Sequence, residues 1–222
     1  MERILVVPRV DFFRGAWPQG FSALAPQDAK TLTTRFASRA FFANRTEAED
    51  NPAWKQPIPY CLITRGSDVF CVQRTQAGTE GRLRGLYSVG LGGHVGPEDG
   101  DPQDPKTLER ALLRELNEEL SLREPPPPHL PLVGLLNDDS NLVGEVHVGL
   151  VFRWELRPRE RGGVENIGIR EISKLRGGFR QLVEFQELWE DPGRFESWSQ
   201  IVIEALLNPP PHGGKHNSTG SE

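Results

Sequence analysis

The chain has 222 residues, 31 acidic and 26 basic side chains, and a formal net charge of −5. That length fits one domain, or one domain with an appendage, and can bury a core without a metal or disulfide staple. The small acidic excess excludes a protein that coats nucleic acid, because phosphate binding needs a basic surface. A nucleotide remains allowed as a small substrate.

No segment of the sequence predicts export or membrane insertion. Only four apolar residues, 4–7, precede Pro8, and this run is shorter than the apolar region of a signal peptide. No 18-residue apolar run that would span a bilayer is present. We therefore expect a cytoplasmic protein without a membrane partner, in which Cys61 and Cys71 are reduced core residues rather than a disulfide.

Composition divides the chain into three predicted regions. Residues 1–56 are expected to be an N-terminal extension that packs on the core, with a strand over 4–10 and a weak helical pattern over 23–44. Residues 57–207 are expected to form the main domain. Residues 208–222 contain no apolar side chain larger than proline, so they cannot offset their ordering entropy and are predicted to be disordered.

Strands and helices alternate irregularly in the main domain. Asp104 is the expected N-cap of a long helix with Pro105 at its first position, and a leucine recurs every four residues from Leu108 to Leu120. One long helix between strands favours an α/β (mixed α+β) sandwich around a mixed sheet. Strands are predicted over 60–64, 69–73, 86–91, 130–136, 146–154 and 178–183, with a hairpin turn at 65–68 and later helices over 184–190 and 194–207.

The long helix carries a cluster of carboxylates. At 100° per residue, Glu115, Glu118 and Glu119 lie on one flank beside the buried Leu116. Like charges at these spacings destabilise a bare helix by a few tenths of a kcal/mol per pair (about 0.2–0.5). A hard divalent cation such as Mg²⁺ or Mn²⁺ requires such oxygen ligands, and Arg114 could orient one of them. The alternative is a solvated, glutamate-rich surface.

The segment before the helix favours the metal hypothesis. Gly93 is followed by five residues, Asp99, fourteen residues and then the run RELNEELSL from Arg114 to Leu122. This resembles the Nudix box, GxxxxxE, seven residues, REUxEExGU, in which U is apolar. Three departures are evident: Asp99 replaces the first Glu, seven extra residues precede Arg114, and Ser121 replaces the last Gly. Glu98, Asp101 and Asp104 are alternatives for the first acidic position.

The resemblance implies an α/β/α Nudix fold and a hydrolase that uses Mg²⁺ or Mn²⁺. It implies cleavage of a pyrophosphate linkage in a small-molecule nucleoside diphosphate derivative, by in-line attack of metal-activated water. The resemblance does not indicate the nucleobase, the group attached to the diphosphate or the oligomeric state. A homodimer is one of the possible states. The implied site consists of metal ligands Glu115, Glu118, Glu119 and Asp99, with Glu118 also catalytic, the orienting Arg114, and the backbone of Gly92 and Gly93.

A general base and further substrate contacts are expected outside the box. The loop 137–145 is rich in oxygen ligands, and Glu145 and His147 would share one face of the strand that follows it. Glu145 is therefore our candidate for the general base or an additional metal ligand, and His147 for a substrate contact. His94 is expected either to contact phosphate or to make a structural hydrogen bond. The alternative for the loop is an exposed surface with a satisfied histidine.

Most of residues 1–207 also looks like a bacterial Nudix subgroup that carries an insertion in the box. The shared segments read ILVVPR, KxxIPY, GLGGHV and NDDSNxVGxVHxGLVF, and they do not indicate a substrate. Two other functions are compatible with the fold: a non-catalytic, nucleotide-sensing Nudix module, and an isopentenyl-diphosphate-isomerase-like enzyme. The isomerase chemistry would need a reactive cysteine, whereas ligand sensing would not require three metal carboxylates.

Overall fold

A mixed β-sheet with helices on both faces forms the body of the protein. The computed structural model describes residues 1–10, 12–13, 16–75, 85–157, 167–170, 172–173, 175–188 and 191–207. The tail predicted to be disordered, 208–222, lies outside the described residues. Among those that are described, no helix has the length and apolar character needed to cross a bilayer.

The elements follow one another from β1 near the N-terminus to α6. The strands are β1 (Arg3–Pro8), β2 (Gly20–Ala23), β3 (Phe41–Asn44), β4 (Trp54–Arg65), β5 (Asp68–Arg74), β6 (Tyr87–Ser88), β7 (Gly90–Gly92), β8 (Leu120–Leu122), β9 (Leu132–Asn137), β10 (His147–Glu155), β11 (Ile167–Ile169) and β12 (Leu175–Gln181). The helices are α1 (Pro26–Arg39), α2 (Arg45–Glu49), α3 (Thr107–Glu119), α4 (Leu142–Val146), α5 (Leu182–Leu188) and α6 (Ser197–Leu207).

Strand β4 is the centre of the sheet. The strand order is β12-β5-β4-β10-β9-β2, with β1 and β7 also paired to β4, β3 to β1 and β6 to β5. Strand β10 runs parallel to β4, and the other pairings described are antiparallel. Strands β8 and β11 form a separate ribbon. The predicted hairpin is confirmed, because Arg65 pairs with Asp68 across Gly66, whose φ is 60°.

Side chains of β4 alternate between two hydrophobic cores. Cys61 and Ile63 face one core, which also receives the buried faces of α1 and α3. Tyr60 and Leu62 face the other core, together with Phe185 of α5 and residues of α6. Because successive strand residues point to opposite sides of a sheet, this alternation requires a covering layer on each side. The predicted α/β/α sandwich around a mixed sheet is thereby confirmed.

The N-terminal residues belong to the central sheet. Strand β1 pairs with β4, and β2 adds a strand beyond β9. The boundary predicted between residues 56 and 57 falls inside β4. The sequence pattern did not show this continuity, because Pro57 and Pro59 interrupt the run that would otherwise read as one long strand.

Several predicted boundaries were wrong around the long helix. Helix α3 begins at Thr107 rather than Pro105, because the Asp104 carboxylate accepts a hydrogen bond from the Lys106 amide and closes a turn before the helix. After the helix, Ser121 lies in β8 opposite Gly168. The box therefore needs no left-handed residue at this position, which explains how serine can replace glycine. The single strand predicted over 86–91 is divided into β6 and β7, which pair with different neighbours.

A buried cation connects β4 to the segment before β10. Lys55 is fully buried, and its Nζ donates to Asn137 Oδ1 at 2.7 Å, to Asp139 Oδ1 at 2.5 Å and to the Gly144 carbonyl at 2.7 Å. Burial lowers the pKa of Lys55, while the bond to Asp139 opposes that shift. Arg9 binds the other oxygen of Asp139 at 2.6 Å. A buried ammonium with this many oxygen partners fixes the path of the segment around it.

Removing the Lys55 charge should destabilise the fold. Lys55→Met leaves Asp139 and two carbonyls without their buried donor, so we expect the free energy of unfolding to fall by about 3–5 kcal/mol. Urea denaturation followed by circular dichroism would measure the change. The control is Lys30→Met, an exposed position on α1, which should change stability by less than about 0.5 kcal/mol. Equal stability of the two variants would contradict the role of Lys55.

Candidate active site

Arg114 lies at the centre of the acidic cluster on α3. Its Nε donates to Asp99 Oδ1 at 2.8 Å, and its Nη2 donates to Asp99 Oδ2 at 3.0 Å and to the His94 carbonyl at 3.0 Å. Its Nη1 lies 2.6 Å from Glu115 Oε1 and 3.4 Å from Glu118 Oε1. The hydrogen bonds to Asp99 raise the pKa of Arg114 further. The guanidinium therefore stays charged and orients two of the three glutamates.

Asp99 holds Arg114 rather than facing a cavity. The Asp99 side chain is 3% exposed, and Oδ2 also accepts from the Gly96 amide at 2.9 Å. Both carboxylate oxygens are thus engaged, which favours an orienting role for Asp99 over the metal-ligand role that the sequence suggested. Of the four acidic candidates for the first box position, Asp99 is the one that contacts Arg114 in this arrangement.

The seven extra residues are folded against the start of α3. Arg110 donates from Nε to the Asp99 carbonyl at 2.5 Å and from Nη2 to Asp104 Oδ2 at 2.9 Å. The Thr107 hydroxyl donates to the Asp101 carbonyl at 2.6 Å. These bonds close the insertion on itself, so the extra length leaves Asp99 beside Arg114.

Two glycines bring the strand end close to the helix. A Cβ on Gly93 would lie 2.5 Å from Cδ of Glu115, and one on Gly92 would lie 1.9 Å from the Pro59 carbonyl oxygen. Gly92 therefore allows the close approach of β7 to β4. Gly93 allows the Glu115 carboxylate to sit directly against the strand backbone. Burial raises the pKa of Glu115, and the bond to Arg114 opposes this shift.

The donor set fits a hard divalent cation in its chemistry. Glu115 and Glu119 are half-buried, Glu118 is exposed, and all three offer the carboxylate oxygens that Mg²⁺ and Mn²⁺ prefer. The space that a Cβ of Gly93 would fill is occupied by one of these carboxylates. As placed, no group of three His, Cys, Asp or Glu side chains among the described residues converges on one point. Arg114 occupies the position between the carboxylates.

A cavity of about 360 Å³ opens beside the glycines. Its volume lies in the range of small-molecule sites. Gly92, Gly93, His94 and His147 all line this cavity, so the structure brings together the four substrate-contact residues that the sequence suggested. The Glu115 carboxylate lies immediately behind Gly93. The three glutamates are not among the described lining residues, and Gly93 is the residue that connects the cavity to the Glu115 carboxylate.

The two histidines form one hydrogen-bonded chain. Gln56 Nε2 donates to the Ala48 carbonyl at 3.0 Å, which leaves Gln56 Oε1 to accept from His94 Nε2 at 2.9 Å. His147 Nδ1 donates to the Val143 carbonyl at 2.7 Å, and its Nε2 lies 3.2 Å from His94 Nε2. The partners indicate an Nε2–H tautomer for His94 and an Nδ1–H tautomer for His147. Strand β4 thus positions His94 through Gln56.

The expectation that Glu145 shares a strand face with His147 was wrong. Glu145 lies in α4, a short helix whose first turn is capped by the Asn141 side chain, and β10 begins only at His147. The Glu145 carbonyl accepts from Arg9 Nη1 at 3.0 Å. The adjacent Gly144 lines the cavity, but Glu145 is not among its described lining residues. The assignment of Glu145 as general base stays a prediction.

Sequence reasoning missed three residues of the cavity wall. Glu196, directly before α6, and Ser197 and Trp198, in its first turn, line the cavity together with Tyr60 and Arg74 of the central strands. Nothing in the local pattern marks Glu196 or Trp198 as site residues, because they lie far beyond the box in the sequence, Glu196 directly before α6 and Trp198 in its first turn. Only the packing of α6 on the sheet places them here.

Comparison with known proteins gives matches that extend over most of the chain. No family model matches the chain. It is 33% identical over 208 residues to Protein YmaB of Bacillus subtilis (strain 168), covering 92% of this chain and 97% of that protein. It is 32% identical to Tm1382, whose crystal structure is described as that of a Nudix hydrolase, with a TM-score of 0.70 over 93% of this chain and 99% of that chain. A NUDIX hydrolase from Alicyclobacillus acidocaldarius, at 14% identity and a TM-score of 0.43, is too distant to inform function.

The role of Asp99 can be tested without any metal. Asp99→Asn removes the charge and one acceptor from the buried pair with Arg114, so we expect a loss of about 1–3 kcal/mol in the free energy of unfolding, measured in EDTA. The control is Asp101→Asn, an exposed change in the same loop, with an effect below about 0.5 kcal/mol. Unchanged stability of Asp99→Asn in EDTA, together with weaker Mg²⁺ binding, would favour a metal-ligand role instead.

Proposed function

This chain belongs to the Nudix hydrolase family, and from that premise we propose that it cleaves a pyrophosphate linkage in a nucleoside diphosphate derivative with Mg²⁺ or Mn²⁺. The observation that carries the proposal is the position of the acidic cluster. Arg114 binds Glu115 and Glu118, the Glu115 carboxylate lies against Gly93, and Gly93 lines a cavity of small-molecule size.

The chain's own residues have distinct parts in this proposal. Glu115, Glu118 and Glu119 would hold the cation, and Asp99 keeps Arg114 in the orientation that positions two of them. A bound divalent cation would screen the phosphate charge and lower the pKa of a coordinated water, the chemistry needed for in-line attack on phosphorus. His94 and His147 line the same cavity as Gly93, where their rings would contact the substrate.

The burial of both cysteines argues against the isomerase-like alternative. Cys61 and Cys71 are at most 1% exposed. Burial raises the pKa of the Cys71 thiol to about 12 and raises that of Cys61 further. Buried thiols of this kind are unreactive at neutral pH. Neither lines the cavity beside the glutamates.

A substrate panel distinguishes a hydrolase from a nucleotide sensor. The full-length protein is incubated with Mg²⁺ or Mn²⁺ and ADP-ribose, NADH, UDP-glucose, diadenosine polyphosphates or damaged deoxynucleoside triphosphates. Phosphate released after treatment with a phosphatase identifies the linkage that is cleaved. Thermal stabilisation by these compounds without any phosphate release would contradict the proposal and favour the sensor.

Removal of one carboxylate should abolish most of the turnover. Glu118→Gln changes an exposed side chain at the end of α3, so the fold should be retained while turnover falls by at least ~10²-fold. Glu109→Gln, in the first turn of the same helix, serves as the control and should keep nearly full activity. An active Glu118→Gln enzyme would show that Glu118 has no part in the reaction.

The contact between Gly93 and Glu115 gives a second test. The Cβ of Gly93→Ala would meet the carboxylate end of Glu115, which can rotate away, so we expect a folded protein with a displaced ligand. Misplacement on this scale costs about 10²-fold in rate. Gly178→Ala, where a Cβ meets nothing within 4 Å, is the matched control. Phosphate-release rates and melting temperatures are compared for both variants. Equal rates would show that the position of the Glu115 carboxylate does not matter for the reaction.

A further inference from the structure

A second polar cluster, outside the box, lines the cavity. Glu196 Oε1 accepts hydrogen bonds from the Ser88 hydroxyl at 2.6 Å, the Tyr60 hydroxyl at 3.0 Å and the Ser199 hydroxyl at 3.0 Å. Burial raises the pKa of Tyr60 well above its ordinary value, so this hydroxyl remains a donor. Three donors on one oxygen hold the carboxylate in one orientation.

The other oxygen of Glu196 has no such partners in the part of the chain that the structure describes. Among the described residues none donates a hydrogen bond to Oε2, although Glu196 is half-buried and lines the cavity. Arg74 lines the same cavity, and its buried Nε has no hydrogen-bond acceptor in the described part of the chain. A buried donor without an acceptor is costly unless a ligand or solvent supplies one, and Glu196, beside the same cavity, offers one carboxylate oxygen to a ligand donor.

An aromatic ring completes this wall. Trp198 lines the cavity two residues after Glu196 and is half-buried, with one edge packed against Tyr60 at a centroid distance of 5.8 Å. Tryptophan offers a flat apolar surface on which any nucleobase can stack. The same cavity reaches Gly93, behind which the Glu115 carboxylate lies. A ligand with a base at Trp198 and phosphates at Gly93 would place its sugar between them.

Resting on the proposed function, we infer that Glu196 and Trp198 form the nucleoside subsite and select a ribonucleoside. Glu196 Oε2 accepts hydrogen bonds from the ribose hydroxyls, and the base stacks on the Trp198 ring. A carboxylate is matched to a vicinal diol because each hydroxyl is a donor and the charged acceptor strengthens both bonds. The diphosphate then extends toward Gly93. Loss of the diol would leave the oriented carboxylate unpaired in the complex.

Binding of nucleotides with and without the diol tests this subsite. Isothermal titration of the full-length protein in Mg²⁺ compares ADP with 2′,3′-dideoxy-ADP, and UDP with its dideoxy counterpart. We expect the ribonucleotides to bind about tenfold tighter, the scale of one charge-assisted hydrogen bond. In Glu196→Gln, which keeps an oxygen for the three hydroxyls but loses the charge, this preference should fall to about twofold or less.

The control is Glu204→Gln on α6, the helix that follows Glu196. Glu204 is exposed, so this variant should keep the preference for the diol. A purely structural Glu196 would lower the melting temperature without changing the ratio of the two affinities. If Glu196→Gln does not fold, Ser88→Ala removes the shortest of the three bonds to Oε1 and should reduce the preference in the same direction.

Three outcomes would overturn the subsite: no binding of either ribonucleotide, equal affinities for the two forms in the unmodified protein, or a full preference retained in Glu196→Gln. These outcomes are independent of turnover. Phosphate release without a preference for the diol would leave the proposed hydrolase intact and reject the subsite. A preference for the diol that depends on Glu196, without any phosphate release, would support the subsite and reject the proposed hydrolase.

Discussion

The buried ammonium of Lys55 fixes the wall around which the rest of the site is assembled. A charge at this depth is tolerated only when oxygen atoms surround it, and these come from Asn137, Asp139 and the carbonyls of Gly144 and His147. The segment between β9 and β10 therefore has one available path. The next residue along β4, Gln56, binds His94. Two adjacent side chains of one strand thus position both histidines of the cavity.

Charged side chains are also held in place by their partners on the acidic helix, α3. Glutamates one turn apart repel each other, and the Arg114 guanidinium offsets this repulsion by binding Glu115 and Glu118 from one nitrogen. Its remaining donors are taken by Asp99 and the His94 carbonyl. The guanidinium is therefore held in one orientation. The insertion before α3 is long but closed by Arg110, and loop length by itself costs little.

The cavity has two chemically different parts. One part is formed by Gly92 and Gly93, with the Glu115 carboxylate behind Gly93, and is suited to a cation and a diphosphate. Elsewhere on its wall are an oriented carboxylate, suited to a donor-bearing group, a tryptophan ring, and the Arg74 guanidinium, which requires an acceptor. The Nudix fold supplies the first part. The second part comes from residues at the start of α6 and from strands β4 to β6, which lie outside the box. Members of one fold can differ in substrate through such residues.

The sequence by itself determined the mixed α/β class, the 65–68 hairpin and the acidic helix, because hydrophobic periodicity and the box motif are local. It placed the glutamates on one flank but could not show that Arg114 binds two of them and that Asp99 holds Arg114. The helical position of Glu145, the burial of Lys55 and the approach of Glu196 and Trp198 were decided only by the tertiary structure. These contacts join residues distant in sequence, whose proximity depends on strand order and on the packing of α6, and no local spacing encodes either.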